Sequence, residues 1–187
     1  MTVMTADVDV EARGVRCVGC SGIVPEVTGP THPYMQASPG CWQVYGNLCA
    51  RTYTDPGPAA LHWHQVDCYA VQHPGGAQHD RRQRQSVAIH LTSLCLLQEH
   101  GQPPAQTARR RGRLSQLVLP RLGRTDWPYL APPAQLGPVT VVDVHATSSH
   151  EQYAAGLQQW TSTAWAAWSA HHDIVRSWAT IVAGSPT

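Results

Sequence analysis

The sequence predicts an all-α fold, a compact helical bundle with a central helical hairpin and an N-terminal CxxC loop that resembles a zinc knuckle. Apolar residues recur at helical spacing in the four longest segments of the chain. Patterns typical of strands are confined to residues 139–144 and to the surroundings of the first two cysteines. A length of 187 residues suits one domain with its own core. We therefore expect a flexible arm at 1–14 and a single helical domain at 15–183.

The first motif is the pair Cys17 and Cys20, which lies in VRCVGCSG. Two intervening residues allow both thiolates to point at one metal ion. The alternatives are free thiols or a redox CxxC, but the redox motif requires a βαβ context that the sequence does not show. The pair therefore predicts a metal site whose other ligands come from elsewhere in the chain.

The segment 23–40 is rich in proline and predicts an ordered loop. Ser38 and Pro39 at its end are typical of a helix start. Cys41 lies in the first turn of the helix that follows, where the helix dipole favours a thiolate. A small buried residue is the other interpretation of Cys41.

The central hairpin has arms at 62–74 and 81–99, with two glycines between them. His62 and His73 share one stripe of the first arm, and His90 lies within an apolar stripe of the second arm. A histidine that is directed into a core requires a hydrogen-bond partner or a metal to offset its desolvation. The hairpin is therefore the predicted location of a site.

The remaining segments predict further elements in order. A helix rich in arginine occupies 107–124, and a proline-rich crossing follows at 127–138. Residues 139–144 are predicted as a short helix, because a lone strand would have no partner. The C-terminal helix, at about 149–182, carries a stripe of tryptophans that predicts core packing.

The chain contains no lysine, and its formal net charge is +1. The absence of lysine excludes Schiff-base, Walker-type and kinase-type lysine chemistry. Nine of the thirteen arginines lie between Arg81 and Arg124. Such runs are usually solvated helix surfaces, and no aromatic residues alternate with this one, so we do not expect nucleic acid binding.

The N-terminal residues lack the basic and apolar regions of a signal peptide, and no apolar stretch is long enough to span a membrane. Six cysteines with a single tightly spaced pair are unlike a secreted disulfide framework. We therefore expect a cytoplasmic protein without membrane contact.

Zinc is the predicted metal, because two thiolates with one or two imidazoles suit it and an iron–sulfur cluster requires more closely grouped cysteines. His62 and His73 would lie about 16 Å apart along a continuous helix, so they cannot share an ion. A strictly antiparallel hairpin would align His90 with His62, whereas a looser turn would bring His90 to His73. We favour the looser turn and predict the ligands Cys17, Cys20, His73 and His90.

Several segments resemble a family of uncharacterised bacterial proteins, a domain of unknown function. They are the CxxC pair, GPTHPYMQASPGCW, HWHQVDCYAVQHPG, QSVAIHLTSLCL and the tryptophan-rich tail that ends in HHDIVRSW. The resemblance covers roughly Arg16 to Trp178, and the QHPG and HLTSLCL segments are its specific parts. It implies a stand-alone soluble domain and carries no established activity.

Two functions from different classes fit these residues. The first is a small metal-dependent enzyme that acts on a small molecule, with His62, Asp67, Tyr69 and His171 as candidates for proton transfer or substrate orientation. Its site would lie between the hairpin and the C-terminal helix, with His90 on one side and His171 on the other.

The second function is a zinc-stapled interaction module, whose arginine-rich surface binds a nucleic acid or an acidic partner. An open coordination position beside a cavity would favour the enzyme, and a closed metal site would favour the module. The sequence contains no HExxH motif, deaminase signature, GxSxG elbow or GxGxxG loop.

Overall fold

A computed structural model describes residues 14–54, 61–76 and 78–185 and shows a mainly helical protein. Two strands, β1 (Gly14–Arg16) and β2 (Ile23–Pro25), pair antiparallel. The helices in the described ranges are α1 (Pro39–Thr54), α2 (His62–Gln72), α3 (Arg81–Gln98), α4 (Pro104–Arg111), α5 (Leu114–Val118), α6 (Val141–His145), α7 (His150–Ala167) and α8 (His172–Ala183), with 3₁₀ turns at Pro120–Leu122 and Ser169–His171.

The predicted all-α class is confirmed, and the β1–β2 hairpin is the only sheet within the described part of the chain. The arm predicted at 1–14 lies, except for Gly14, outside the described residues. None of the helices described here combines the length and apolarity needed to cross a bilayer.

Helix α3 occupies the centre of the fold and packs against α2, α4, α7 and α8. Asp80 caps its N-terminus, where the carboxylate accepts from the backbone N–H groups of Arg82 at 2.8 Å and Gln83 at 3.4 Å. The inward side chains Leu91 and Leu94 have no exposed surface. Helix α3 is therefore the element against which the rest of the core is assembled.

The turn after α2 requires a glycine at position 75. Gly75 has a φ of +60°, and a Cβ there would lie 2.5 Å from the carbonyl oxygen of Tyr34. The chain therefore leaves α2 sharply and runs beside the loop that precedes α1.

The C-terminal segment forms two helices, so the prediction of one continuous helix is wrong. The helical hydrogen bonding stops at Trp168, whose indole Nε1 donates to the carbonyl oxygen of Val71 at 3.2 Å. The tryptophan stripe itself is confirmed as core, since Trp160, Trp168 and Trp178 are each at most 1% exposed. The 3₁₀ turn after Trp168 leaves His171 only half-buried.

The short helix α6 is confirmed at the position where the sequence allowed a strand or a helix. Thr140 and Asp143 form a capping box, in which Thr140 accepts from the backbone of Val142 at 3.3 Å and Asp143 accepts from the backbone of Thr140 at 2.7 Å. Helix α6 packs against α1 and α7 and thereby connects the two ends of the bundle.

Candidate metal centre

Four side chains from three separate segments converge near the N-terminus of α1. One ligand atom from each of Cys17, Cys20, Cys41 and His73 lies within 4.8 Å of the others. All four residues are at most 5% exposed. We call this group the Cys3His cluster.

The β1–β2 hairpin presents the first two thiols. At the turn between the strands, the backbone N–H of Cys17 donates to the carbonyl oxygen of Gly22 at 2.9 Å, and that of Ser21 donates to the carbonyl oxygen of Cys17 at 3.0 Å. These bonds fold the four residues from Cys17 to Cys20 into a tight loop, so both sulfurs face the same side.

Gly19 lets this loop approach the ring of His73. A Cβ at Gly19 would lie 2.5 Å from Cδ2 of His73 and 2.3 Å from the carbonyl oxygen of Gln36. Any larger residue would have to displace the backbone or the imidazole. The close approach of the Cys17–Cys20 loop to His73 therefore requires a glycine at position 19.

Cys41 comes from the first turn of α1, which is docked on the loop by Ser38. The hydroxyl of Ser38 accepts from the backbone N–H of Val18 at 3.1 Å, and the backbone N–H of Ser38 lies 3.5 Å from the sulfur of Cys17. Sequence reasoning did not include Cys41 among the ligands. Its place in the first turn of a helix favours a thiolate, but that local signal does not show which residues Cys41 meets.

His73 leaves α2 at its C-cap, with φ −129° and ψ 55°. Its Nδ1 lies 2.7 Å from the carbonyl oxygen of Tyr69, which can only accept, so Nδ1 carries the proton and Nε2 faces the thiols. The ring of Tyr69 stacks on the imidazole at 3.9 Å, and its hydroxyl donates to the sulfur of Cys41 at 3.7 Å. Tyr69 therefore orients two of the four ligand residues.

The distances within the Cys3His cluster fit one tetrahedral ion. The sulfurs of Cys20 and Cys41 are 3.8 Å apart, and Nε2 of His73 lies 3.3 Å from Cys41 and 3.6 Å from Cys17. Tetrahedral zinc, with bonds of about 2.3 Å to sulfur and about 2.0–2.1 Å to nitrogen, places its ligands about 3.8 Å (S···S) and about 3.6 Å (S···N) apart. These three separations are therefore close to those of a tetrahedral shell, and all four ligand atoms lie within 4.8 Å of one another.

The buried thiols and the imidazole of the Cys3His cluster shift one another's pKa values. Hydrogen bonds with Cys20 and Cys41 hold the pKa of the Cys17 thiol far below its usual range, whereas hydrogen bonds with Cys17 and Cys20 raise the pKa of Cys41. Burial lowers the pKa of His73, but its hydrogen bonds with Cys17 and Cys20 outweigh burial and raise the pKa to about 9. The cluster thus favours a thiolate beside the imidazole where water is excluded, and thiolate is the form in which cysteine binds a metal.

His90, predicted as the fourth ligand, lies outside the Cys3His cluster, and Cys41 stands in its place. The Nδ1 of His90 is 2.7 Å from Oδ1 of Asp67, and a guanidinium nitrogen of Arg111 is 2.6 Å from Oδ2 of the same carboxylate. The physical reason is that α3 presents His90 to the body of α2, whereas His73 has already left that helix. We call Asp67, His90 and Arg111 the Asp67 cluster.

The predicted catalytic residues lie in different surroundings. The imidazole of His62 lies 3.0 Å from the hydroxyl of Thr52, and His171 donates to the carbonyl oxygen of Ala131 at 2.8 Å. Tyr69 contacts His73 and Cys41 of the Cys3His cluster, and Asp67 binds Arg111. No contact among the described residues joins His90 to His171, so the catalytic roles of these side chains stay predictions.

Residues 15–169 match the model of DUF5946, a family of unknown function. The chain belongs to this family. The match covers the Cys3His cluster, the Asp67 cluster and helices α1 to α7. No curated protein and no solved structure matches the chain.

Proposed function

We propose that this member of the family binds one zinc ion in a structural role. The observation that carries the proposal is the Cys3His cluster, four buried ligand atoms that lie within 4.8 Å of one another. Three thiolates and one imidazole form a soft ligand set of the kind that zinc occupies in structural sites. The ion would fasten the β1–β2 hairpin to the start of α1 and the end of α2.

A catalytic metal requires a position that water or substrate can reach. Here four protein ligands complete the shell, and each residue is at most 5% exposed. This closed arrangement favours a structural ion over the metal-dependent enzyme. The six cysteines form no disulfide, which agrees with a reducing compartment such as the cytoplasm.

The arginine-rich segment does not favour a nucleic acid partner, because most of its charge is used within the protein. Arg110 donates to the carbonyl oxygen of Val182 at 2.9 Å, and Arg121 donates to that of Ile181 at 3.0 Å. Of the nine arginines between Arg81 and Arg124, six bind carbonyl oxygens or carboxylates of the protein; they are Arg81, Arg84, Arg110, Arg111, Arg121 and Arg124. A large part of the segment therefore supports the C-terminal helix and other elements of the fold.

Metal analysis of the protein purified without chelators tests the proposal. We expect one zinc per chain in the wild type and in His90→Gln, and loss of zinc in Cys41→Ser. Cys49→Ser is the matched control, since Cys49 lies on the same helix outside the cluster and should keep the ion.

Two outcomes would overturn the proposal. One is a wild-type protein without metal, and the other is a Cys41→Ser protein that retains a full equivalent. Loss of zinc in His90→Gln together with retention in Cys41→Ser would restore the ligand set predicted from the sequence.

A further inference from the structure

A second site is indicated on the other side of the hairpin, at the Asp67 cluster. The carboxylate of Asp67 has no exposed surface, and Arg111, which is 11% exposed, also lies over the ring of Trp63 at 4.7 Å. A buried carboxylate that binds a guanidinium and an imidazole forms a rigid network. The side chain of His90 is therefore held in one orientation.

This orientation fixes the chemistry of the ring. A carboxylate oxygen at 2.7 Å only accepts, so Nδ1 of His90 carries a proton and a neutral ring leaves its lone pair on Nε2. Nε2 of His90 has no hydrogen-bond partner among the described residues. The side chain of His90 is 13% exposed, so a ligand can reach it. The arrangement is that of an imidazole oriented by a carboxylate to accept a proton or a hydrogen bond.

His90 lines an open cavity of about 230 Å³ together with Tyr34, Arg82, Gln85, Ser86 and Ile89. Arg82, Ser86 and His90 follow one another at intervals of four residues, so they share one face of α3. Arg82 forms no ion pair with any residue that the structure describes, and no carboxylate lines the cavity. The cavity thus combines one available cation with one available acceptor.

We propose that this cavity binds a small hydroxycarboxylic acid. The guanidinium of Arg82 would bind the carboxylate through paired N–H groups, and Nε2 of His90 would accept from the hydroxyl. An amino acid fits less well, because its ammonium would face Arg82 with no carboxylate in the lining to balance it. A volume below the roughly 300–1,000 Å³ of drug-sized pockets suits a small ligand.

The test is a titration of the zinc-loaded protein with lactate and with propionate, which lacks the hydroxyl. For lactate we expect a Kd on the order of 1 mM, within reach of a ligand of this size, and binding at least about tenfold weaker for propionate. Arg82→Gln should weaken both ligands at least about tenfold, whereas His90→Gln should reduce lactate to the level of propionate. Arg109→Gln removes an exposed arginine that does not line the cavity and should change neither.

Nitrogen-15 NMR of the imidazole provides a readout of the role of His90. In the free protein we expect a proton on Nδ1, which faces the carboxylate of Asp67, and lactate should shift the Nε2 resonance. Because Arg82 is exposed, Arg82→Gln should fold normally. It therefore still tests the proposal if His90→Gln fails to fold. Equal binding of lactate and propionate, absence of binding at 20-fold the expected Kd, or an Nε2 resonance that lactate does not shift would each overturn the proposal.

Discussion

The Asp67 cluster and the Cys3His cluster are both buried and polar, but among the described residues only the Asp67 cluster contains an arginine. In the Asp67 cluster, Arg111 supplies a positive charge 2.6 Å from the carboxylate. In the Cys3His cluster the thiols face one another and His73, and no arginine among the described residues hydrogen-bonds to them. The comparison shows that the Asp67 cluster carries its own permanent cation, whereas the Cys3His cluster offers three sulfurs and one imidazole, a ligand set that suits a metal ion.

The largest effect should follow removal of the ion. A strong chelator should lower the melting temperature and broaden or abolish cooperative unfolding, because structural zinc contributes on the order of 10 kcal/mol in small domains. Differential scanning calorimetry with and without chelator measures the change. The double variant Cys17→Ser, Cys20→Ser should already melt at the lower temperature and should not respond to the chelator. If the wild-type melting temperature does not change after verified removal of the metal, the Cys3His cluster is as stable without an ion as the Asp67 cluster, and the contrast between them fails.

The next largest effect should follow Asp67→Asn. The substitution leaves the guanidinium of Arg111 buried without its counter-charge, which typically costs about 3–5 kcal/mol. Urea unfolding should show this loss of stability, and metal analysis should still find one zinc per chain. Asp173→Asn is the control, since the Asp173 side chain is fully exposed and should change stability little. A loss of zinc in Asp67→Asn would mean that the two clusters are not independent.

A smaller and more local effect is expected for Gly19→Ala. The new methyl would meet the ring of His73 and the backbone of Gln36, and overpacking of this kind costs roughly 1–3 kcal/mol. We expect zinc affinity to fall about tenfold or more in a competition titration with a colorimetric chelator. Gly29→Ala serves as the matched control, because a Cβ at Gly29 has no neighbour within 4 Å. Equal affinity in the two variants would show that the loop adjusts without effect on the ion.

The smallest effect is expected for nucleic acid. If the arginine-rich segment bound phosphates, affinity would fall steeply with salt as counterions are released. We expect no such complex, and Arg109→Gln with Arg113→Gln should leave electrophoretic mobility shifts unchanged. A salt-sensitive submicromolar complex with DNA or RNA would contradict this prediction. It would show that the exposed arginines of the segment bind phosphates.

The main helices were predictable because each carries its own pattern of apolar residues, and some also carry a side-chain cap. Asp80 before α3 and Thr140 before α6 are signals that the sequence displays locally. The end of α7 was not predictable in this way. It depends on the hydrogen bond from Trp168 to the backbone of Val71, a contact between segments far apart in sequence.

The metal centre was predictable only in part for the same reason. Cys17 and Cys20 are recognisable by their spacing, and His73 by its place before Pro74, where α2 must end. Whether Cys41 or His90 joins them depends on how the loop before α1 folds back onto the hairpin. That choice depends on long-range contacts such as the one between Ser38 and Val18, which no local pattern encodes.

Gln72, the residue before His73, connects α2 to a different part of the molecule. Its side-chain nitrogen donates to the carbonyl oxygens of Leu136 and Val139, each at 2.8 Å, and its side-chain oxygen accepts from the indole of Trp160 at 2.8 Å. Gln72 and His73 are consecutive in the chain. The end of α2 is therefore attached through Gln72 to the C-terminal half and through His73 to the N-terminal loop. Local fraying of the last turn of α2 would have to break both attachments, so the amides of this turn should exchange with solvent deuterium only when the whole domain unfolds.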